Sequence, residues 1–223
     1  MSLYAYCVTR LEKDEPWEVL AGVADRPVFA LRHQKIALLA SRMDRVRLEE
    51  PRYLVQHRQV VHRIFERRTV LPFRFATLFA SEEEATAVLR RNHDQFSEAL
   101  RMLRGKAEMH VKVQIPGGQS ALTALTGRIT GYLRAALAAV DEQSCVRELN
   151  DGQVLVDLRY LVERPVGKPV SLEIPNLPQC QLQMTGPWPP YHFLPLTAKL
   201  PSRAERLTVM PGRQPLRARA ARA

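Results

Sequence analysis

The sequence predicts an α+β protein, and three observations carry that expectation. The alternating stretch VLPFRFATLF at 70–79 runs straight into SEEEATAVL, a well-capped helix start. From Lys106 to Thr185 the order is strand, helix, strand, strand, connection, strand, the split β-α-β of a ferredoxin-like domain. The second helix of such a domain would occupy 163–178, where Pro165, Pro169, Pro175 and Pro178 oppose a regular helix. The expected architecture is therefore two small α/β sandwiches: an N-terminal α+β domain at 1–105 and a ferredoxin-like domain at 106–199. The second helix of the latter is expected to be shortened or lost, and a basic disordered tail to follow at 200–223. A chain of 223 residues buries about 70 % of its unfolded surface, so neither domain needs a staple.

Leu3–Thr9 is apolar and aromatic throughout and predicts a buried strand. Pro27–His33 and Ile36–Ser41 flank a tight polar break and predict a hairpin. Pro51 opens a helix whose Leu54, His57, Val61, Ile64, Phe65 and Arg68 share one face. In the 70–79 strand, Leu71, Phe73, Phe75, Thr77 and Phe79 fall on one side. Ser81 can cap the next helix and Glu84 can reach back to complete a capping box. Apolar spacing then continues through Phe96, Leu100 and Leu103 until Gly105 stops it. Lys106–Ile115 alternates with Ala107, Met109, Val111, Val113 and Ile115 inward, and Pro116-Gly117-Gly118 ends it.

A second amphipathic helix carries Leu122, Leu125, Ile129, Tyr132, Leu133, Ala136 and Val140. Ser144–Leu149 and Val154–Val162 are joined by Asn150-Asp151-Gly152, a hairpin signal because such turns require positive φ. Gln179–Thr185 alternates with Cys180, Leu182 and Met184 inward. The following run, TGPWPPYHFLP, cannot be helix interior or central strand. It predicts a rigid exit in which Trp188, Tyr191 and Phe193 fold back over a core edge.

Cys7, Cys145 and Cys180 are odd in number and far apart, which argues against a disulfide framework or zinc site and fits a reducing compartment. MSLYAYCVTR lacks the pattern of a signal peptide, and the longest apolar stretch, 119–140, is interrupted by Arg128 and Arg134. The expected location is the cytoplasm. The net charge of +10 is concentrated in two places. Ten Lys/Arg face four Asp/Glu between Arg32 and Arg68, and the last 21 residues carry net +5. Such a distribution suits an acidic partner or a solvated face with a basic end.

His57 and His62 are five apart on one helix, which is not the spacing of a metal pair, so His57 is expected to pack. His33, His93, His110 and His192 lie in different elements without an acidic residue in a recognisable pattern. GxSxG, HExxH, P-loop and GxGxxG motifs are absent. No catalytic, cofactor-binding or metal-binding residue is expected. Arg74 sits in the middle of an apolar strand and has two readings. It lies on the open sheet face or pairs internally, or it anchors an acidic group of a partner. The RNA-binding strand signature is missing, since HVKVQI has no aromatic.

The stretches LPFRFATLF (71–79), SEEEATAVL, KAEMHVKV and above all TGPWPPYHF (185–193) resemble the GvpL/GvpF gas vesicle proteins, from the LYAY strand at 3–6 to Phe193. The resemblance implies two α+β domains, the second ferredoxin-like, and no enzymatic activity or cofactor. It implies an accessory or minor structural protein of gas vesicle assembly, on the cytoplasm-facing vesicle surface or at the growing tip. The implied partners are the small hydrophobic shell protein and other vesicle accessory proteins, with no specific nucleic acid and no membrane. Against that role, the candidate partner-binding residues are Arg74, Trp188, Tyr191 and Phe193. Departures from the family pattern are a short 116–144 region, the proline-rich 163–178 and the arginine tail. The alternative is a ferredoxin-like module that holds RNA or another polyanion through its basic stripe and tail. Its affinity would fall up to about a thousandfold between 50 and 200 mM salt if six phosphates were met.

Overall fold

The computed structural model describes residues 1–12, 15, 17, 20–43, 50–115, 122–148, 154–164 and 181–194. In chain order the elements are β1 (Ser2–Arg10), β2 (Leu20–Ala21), a short helical turn (Val23–Asp25), β3 (Pro27–His33), β4 (Ile36–Met43), α1 (Pro51–Arg67), β5 (Val70–Pro72), β6 (Leu78–Phe79), α2 (Glu82–Arg91) and α3 (His93–Met102). Then follow β7 (Lys106–Ile115), α4 (Leu122–Ala136), β8 (Asp141–Glu148), β9 (Val154–Glu163) and β10 (Gln181–Trp188). They form two sheets, ordered β2-β3-β4-β1-β5, with β6 also on β1, and β10-β7-β9-β8. The α+β class is as expected.

β1 is buried along most of its length because helices cover both its faces. Leu3, Ala5 and Val8 join the α2 and α3 residues Ala85, Leu89, Phe96 and Leu100. Tyr4, Tyr6 and Cys7 join Val60, Val61, Ile64 and Phe65 of α1. The parity changes after Tyr6 because the pairing with β4 slips from Ala5↔Ala40 to Cys7↔Leu39. This bulge adds one residue and turns the rest of the strand over.

Between β1 and α1, Gly22 is needed for space. A Cβ there would lie 2.2 Å from the Tyr6 hydroxyl oxygen and 2.8 Å from Ser41 Oγ. That hydroxyl accepts from Val23 N–H at 2.8 Å and pairs with Ser41 at 3.0 Å. Gly22→Ala is expected to cost about 1–3 kcal/mol through these buried hydrogen bonds. In α4, Gly131 has open space within 4 Å. Gly131→Ala is expected to be neutral or stabilising by up to about 1 kcal/mol, since alanine favours helix. Parallel thermal melts check the contrast, and equal shifts would contradict it.

Three expected elements differ. The 70–79 strand is broken: β5 ends at Pro72, a turn follows, and β6 is two residues. The expected single helix from 82 to 103 is two, because Asn92 leaves helical geometry and its side chain donates to the Val88 carbonyl at 2.8 Å. On α4, Ile129, Leu133 and the following Leu137 are buried, while Tyr132 and Val140 are exposed. The capping of α2 is as expected at Ser81, which accepts from Glu84 N–H at 3.2 Å, while the Glu84 carboxylate reaches Ala80 N–H.

The order β10-β7-β9-β8, all antiparallel with α4 between β7 and β8, matches the split β-α-β arrangement. Met109, Val111, Val113, Val156 and Leu158 pack under Ile129, Leu133 and Leu137. The 150–152 turn, the 116–118 turn, Cys180, the 163–178 connection apart from residues 163 and 164, and the tail lie outside the described residues.

The two sheets meet in shared packing. Ala107 joins the core under α1, and Leu161 and Phe193 join the core under α2 and α3. Arg164 donates to the Phe65 and Glu66 carbonyls at 2.6 and 3.0 Å and lies 4.4 Å over the Phe65 ring. A cation thus meets the negative end of α1.

Candidate functional site

Two segments that the sequence singled out lie against this junction. The turn after β5 is anchored at both ends: Phe73 N–H donates to Tyr6 O at 2.8 Å, and Ala5 N–H to Thr77 O at 3.0 Å. Thr77 Oγ1 closes it by donating to Arg74 O at 2.8 Å. Inside, a chain of hydrogen bonds reaches α1. Ala76 N–H donates to the Tyr4 hydroxyl, whose own proton meets His57 Nδ1 at 3.0 Å. His57 Nε2 sits 3.2 Å from Phe73 O. A carbonyl only accepts, so Nε2 carries the hydrogen and Nδ1 accepts from Tyr4, a neutral ring. Burial, with the Arg58 charge adding to it and the Phe73 carbonyl opposing it, pushes the His57 pKa down to about 4. His57 thus packs, as expected, and does so as part of a polar network.

Arg74 stands on this turn and is exposed, not in a strand. Among the described residues no ion pair or hydrogen bond holds its guanidinium. The internal-pairing reading of Arg74 therefore falls, and a charge on a rigid turn is left free for solvent or a partner.

The second segment begins on β10, an edge strand paired only with β7 among the described residues. The pairing is interrupted between Thr185 and Trp188, where Gly186 takes φ +137 and the Gly186–Pro187 peptide is cis. A strand edge tolerates proline because one side of its ladder needs no donor. Beyond it Phe193 is buried in the core under α2 and α3, and Tyr191 is half-buried against the core under α1, as the rigid-exit reading expects. Trp188 departs from that reading. It stays 40 % exposed, with its ring centroid 6.0 Å from that of His62 on α1 and its indole N–H bonded to Thr185. No hydrogen bond or cation–π contact joins Arg74 to this segment among the described residues.

The fold also assembles a group that the linear pattern did not reveal. Glu108 occupies a polar position of an alternating strand, where solvent exposure is the ordinary expectation. It is instead fully buried, because 189–193 folds across it. His192 N–H donates to Glu108 Oε2 at 3.0 Å, while His192 Nδ1 lies 2.5 Å from Oε1. His110 Nε2 meets the same Oε1. Burial alone would raise this carboxyl's pKa, but the contacts with His110 and His192 outweigh it and hold the pKa below the usual range. The histidines are therefore not scattered: two of them converge on one carboxylate across 84 residues of chain.

Part of the basic stripe is engaged within the protein. Arg32 donates to the Glu12 and Glu15 carbonyls, and Arg42, Arg52 and Arg68 pair with Glu82, Glu50 and Glu15. Exposed pairs of this kind contribute little stability. No helix of the described residues is long and apolar enough to cross a membrane.

Comparison with known proteins is consistent along the chain. The family model described as "Gas vesicle synthesis protein GvpL/GvpF" matches residues 2–123 and 118–195. Gas vesicle protein F1 of Halobacterium salinarum is 25 % identical over 202 residues, covering 86 % of this chain and 92 % of the relative. Gas vesicle protein F of a Streptomyces species is 25 % identical over 237 residues, covering 87 % and 100 %. The crystal structure of gas vesicle protein GvpF from Anabaena sp. PCC7120 aligns with a TM-score of 0.68 at 16 % identity, over 88 % of this chain and 97 % of that one. At that identity the likeness shows the fold.

Proposed function

Since the chain belongs to the GvpL/GvpF family of gas vesicle synthesis proteins, we propose that it serves vesicle assembly by holding the small hydrophobic shell protein, without catalysing a reaction. The observation that carries this reading is the family match along nearly all of the described residues, including both singled-out segments. Shell subunits must present apolar surface toward gas, which makes them an aggregation hazard before assembly. A carrier needs an accessible edge or apolar contact that accepts such a surface. β10, paired only with β7 among the described residues and ending in the exposed Trp188, supplies both. Arg74 supplies a positive charge on a rigid turn for an acidic group of the same or another vesicle protein.

In this proposal Trp188 and Arg74 make the contact. Tyr191 and Phe193, which are turned inward, hold the segment in place. The site of action is the cytoplasm-facing surface of the vesicle. The test is a binding titration of the shell protein against wild type, Trp188→Ala and Arg74→Glu. Each variant is expected to bind at least ~10-fold more weakly, the loss of about 1.4 kcal/mol of contact. Their thermal midpoints should remain within about 2 °C of wild type, as surface substitutions do. Wild-type protein that ignores the shell subunit, or variants that bind it unchanged, would overturn the proposal. So would tight, salt-sensitive binding to RNA in its place.

A further inference from the structure

We infer that Glu108, His110 and His192 form a divalent-metal site, suited to zinc or a chemically similar first-row cation. One carboxylate oxygen and one nitrogen from each of two imidazoles converge, all within 4.8 Å of one another. The two rings are inclined at 69° with centroids 5.6 Å apart, so they converge on the carboxylate and do not stack. Two imidazoles and one carboxylate are a known catalytic-type zinc ligand set, with a fourth position left for water or another ligand. Nitrogen donors in the majority favour zinc, cobalt, nickel or copper over calcium or magnesium.

The surroundings favour a cation as well as permit one. Glu108 is fully buried, and a buried carboxylate needs compensating charge or donors. Among the described residues no lysine or arginine pairs with it, and its partners are the two histidines and one backbone N–H. The supporting shell is already in place. His192 N–H holds Oε2, leaving Oε1 to point at the imidazoles, and Gln143 Nε2 donates to the His192 carbonyl at 2.7 Å. Access is open, since the His110 and His192 side chains are 29 % and 38 % exposed.

Without metal, the facing nitrogens carry hydrogen and donate to Glu108 Oε1. Loading a cation moves each of those hydrogens to the ring's other nitrogen or to solvent and exchanges the two hydrogen bonds for three coordinate bonds. The rings must withdraw slightly, because ligand atoms around a tetrahedral zinc at about 2.1 Å stand roughly 3.4 Å apart. The more exposed His192 is the freer to move. A bound cation would tie β7 to the segment that ends the edge strand, independently of the vesicle reading.

The test uses untagged full-length protein, stripped with a chelator and titrated with Zn²⁺ in a calorimeter, with Co²⁺ absorption as a spectroscopic probe. The expected result is one equivalent of Zn²⁺ and a tetrahedral Co²⁺ spectrum. The thermal midpoint should rise with metal concentration. His110→Ala and His192→Ala should each lose at least tenfold in affinity. The control is the other histidine pair, His33 and His93, whose rings lie 5.4 Å apart, and His33→Ala/His93→Ala should bind as wild type does. Mg²⁺ should not compete. Wild type that takes up no Zn²⁺, or affinity unchanged in both His110→Ala and His192→Ala, would overturn the assignment and leave a hydrogen-bonded clasp.

Discussion

Gly186→Ala is expected to lower the thermal midpoint by about 6–12 °C, the equivalent of roughly 3 kcal/mol in a chain of this size. Two causes add. Gly186 has φ +137, a region that L-residues with a Cβ rarely enter. The added Cβ would also stand 2.9 Å from the Glu108 carbonyl oxygen and 2.6 Å from Met109 Sδ. The methionine can shift, but the carbonyl belongs to β7, a central strand of the second sheet. Gly105→Ala separates the causes. Its φ is +71 but the nearest atom to a new Cβ is 3.7 Å away, so strain alone remains, about 1–2 kcal/mol. Melts of both variants by circular dichroism measure the difference, and equal shifts would show that the close approach to β7 does not matter. The glycine of TGPWPPY is thus explained by the distance at which the segment crosses its neighbour.

Stability is expected to fall by about 3 kcal/mol between pH 6.5 and pH 4 from His57 alone. In the folded protein its pKa is pushed down to about 4, against an ordinary 6.5. A depressed folded pKa means that the unfolded chain takes up the proton first. The contribution is therefore complete above pH 6.5, is lost as pH drops toward 4, and changes no further once both states are protonated. Structurally, protonation would leave the Tyr4 hydroxyl facing an N–H where it now finds an acceptor. Urea denaturation at pH 7, 5.5 and 4 should show the slope in wild type. In His57→Gln the slope over this window should be reduced by that amount, even though the variant starts less stable at pH 7. An unchanged slope in the variant would assign the acid sensitivity to other groups.

Much of the candidate site was legible only as parts. The 185–193 stretch announces itself through proline, which excludes helix and central strand, and its edge position follows from the same missing donors. Arg74 was conspicuous because a guanidinium among apolar residues needs a reason. Its actual place was not legible, since the alternation of VLPFRFATLF is equally compatible with a straight strand and with two short ones separated by a turn. What breaks the strand is the hydrogen bonding of Phe73, Ala76 and Thr77 to β1. Glu108 was misleading for a related reason. Its position in KAEMHVKV points to the polar face, and only the return of residues 189–193 makes that face an interior.

The sequence by itself determined the order and type of most elements, the α2 cap, the Gly105 stop, the split β-α-β order and the family. The elements, the cap and the stop rest on spacing and local chemistry within a few residues, the split order on the succession of those elements, and the family on the resemblance of whole motifs from residue 3 to 193. Tertiary structure decided where β1 turns over, that Asn92 divides one helical pattern into two, that Trp188 stays outside while Phe193 goes in, and that two histidines share one carboxylate. Those outcomes depend on which surfaces compete for the same space once the chain has folded back on itself. Alternation reports which face a side chain takes, but the group that covers that face can lie 84 residues away, as His192 does from Glu108.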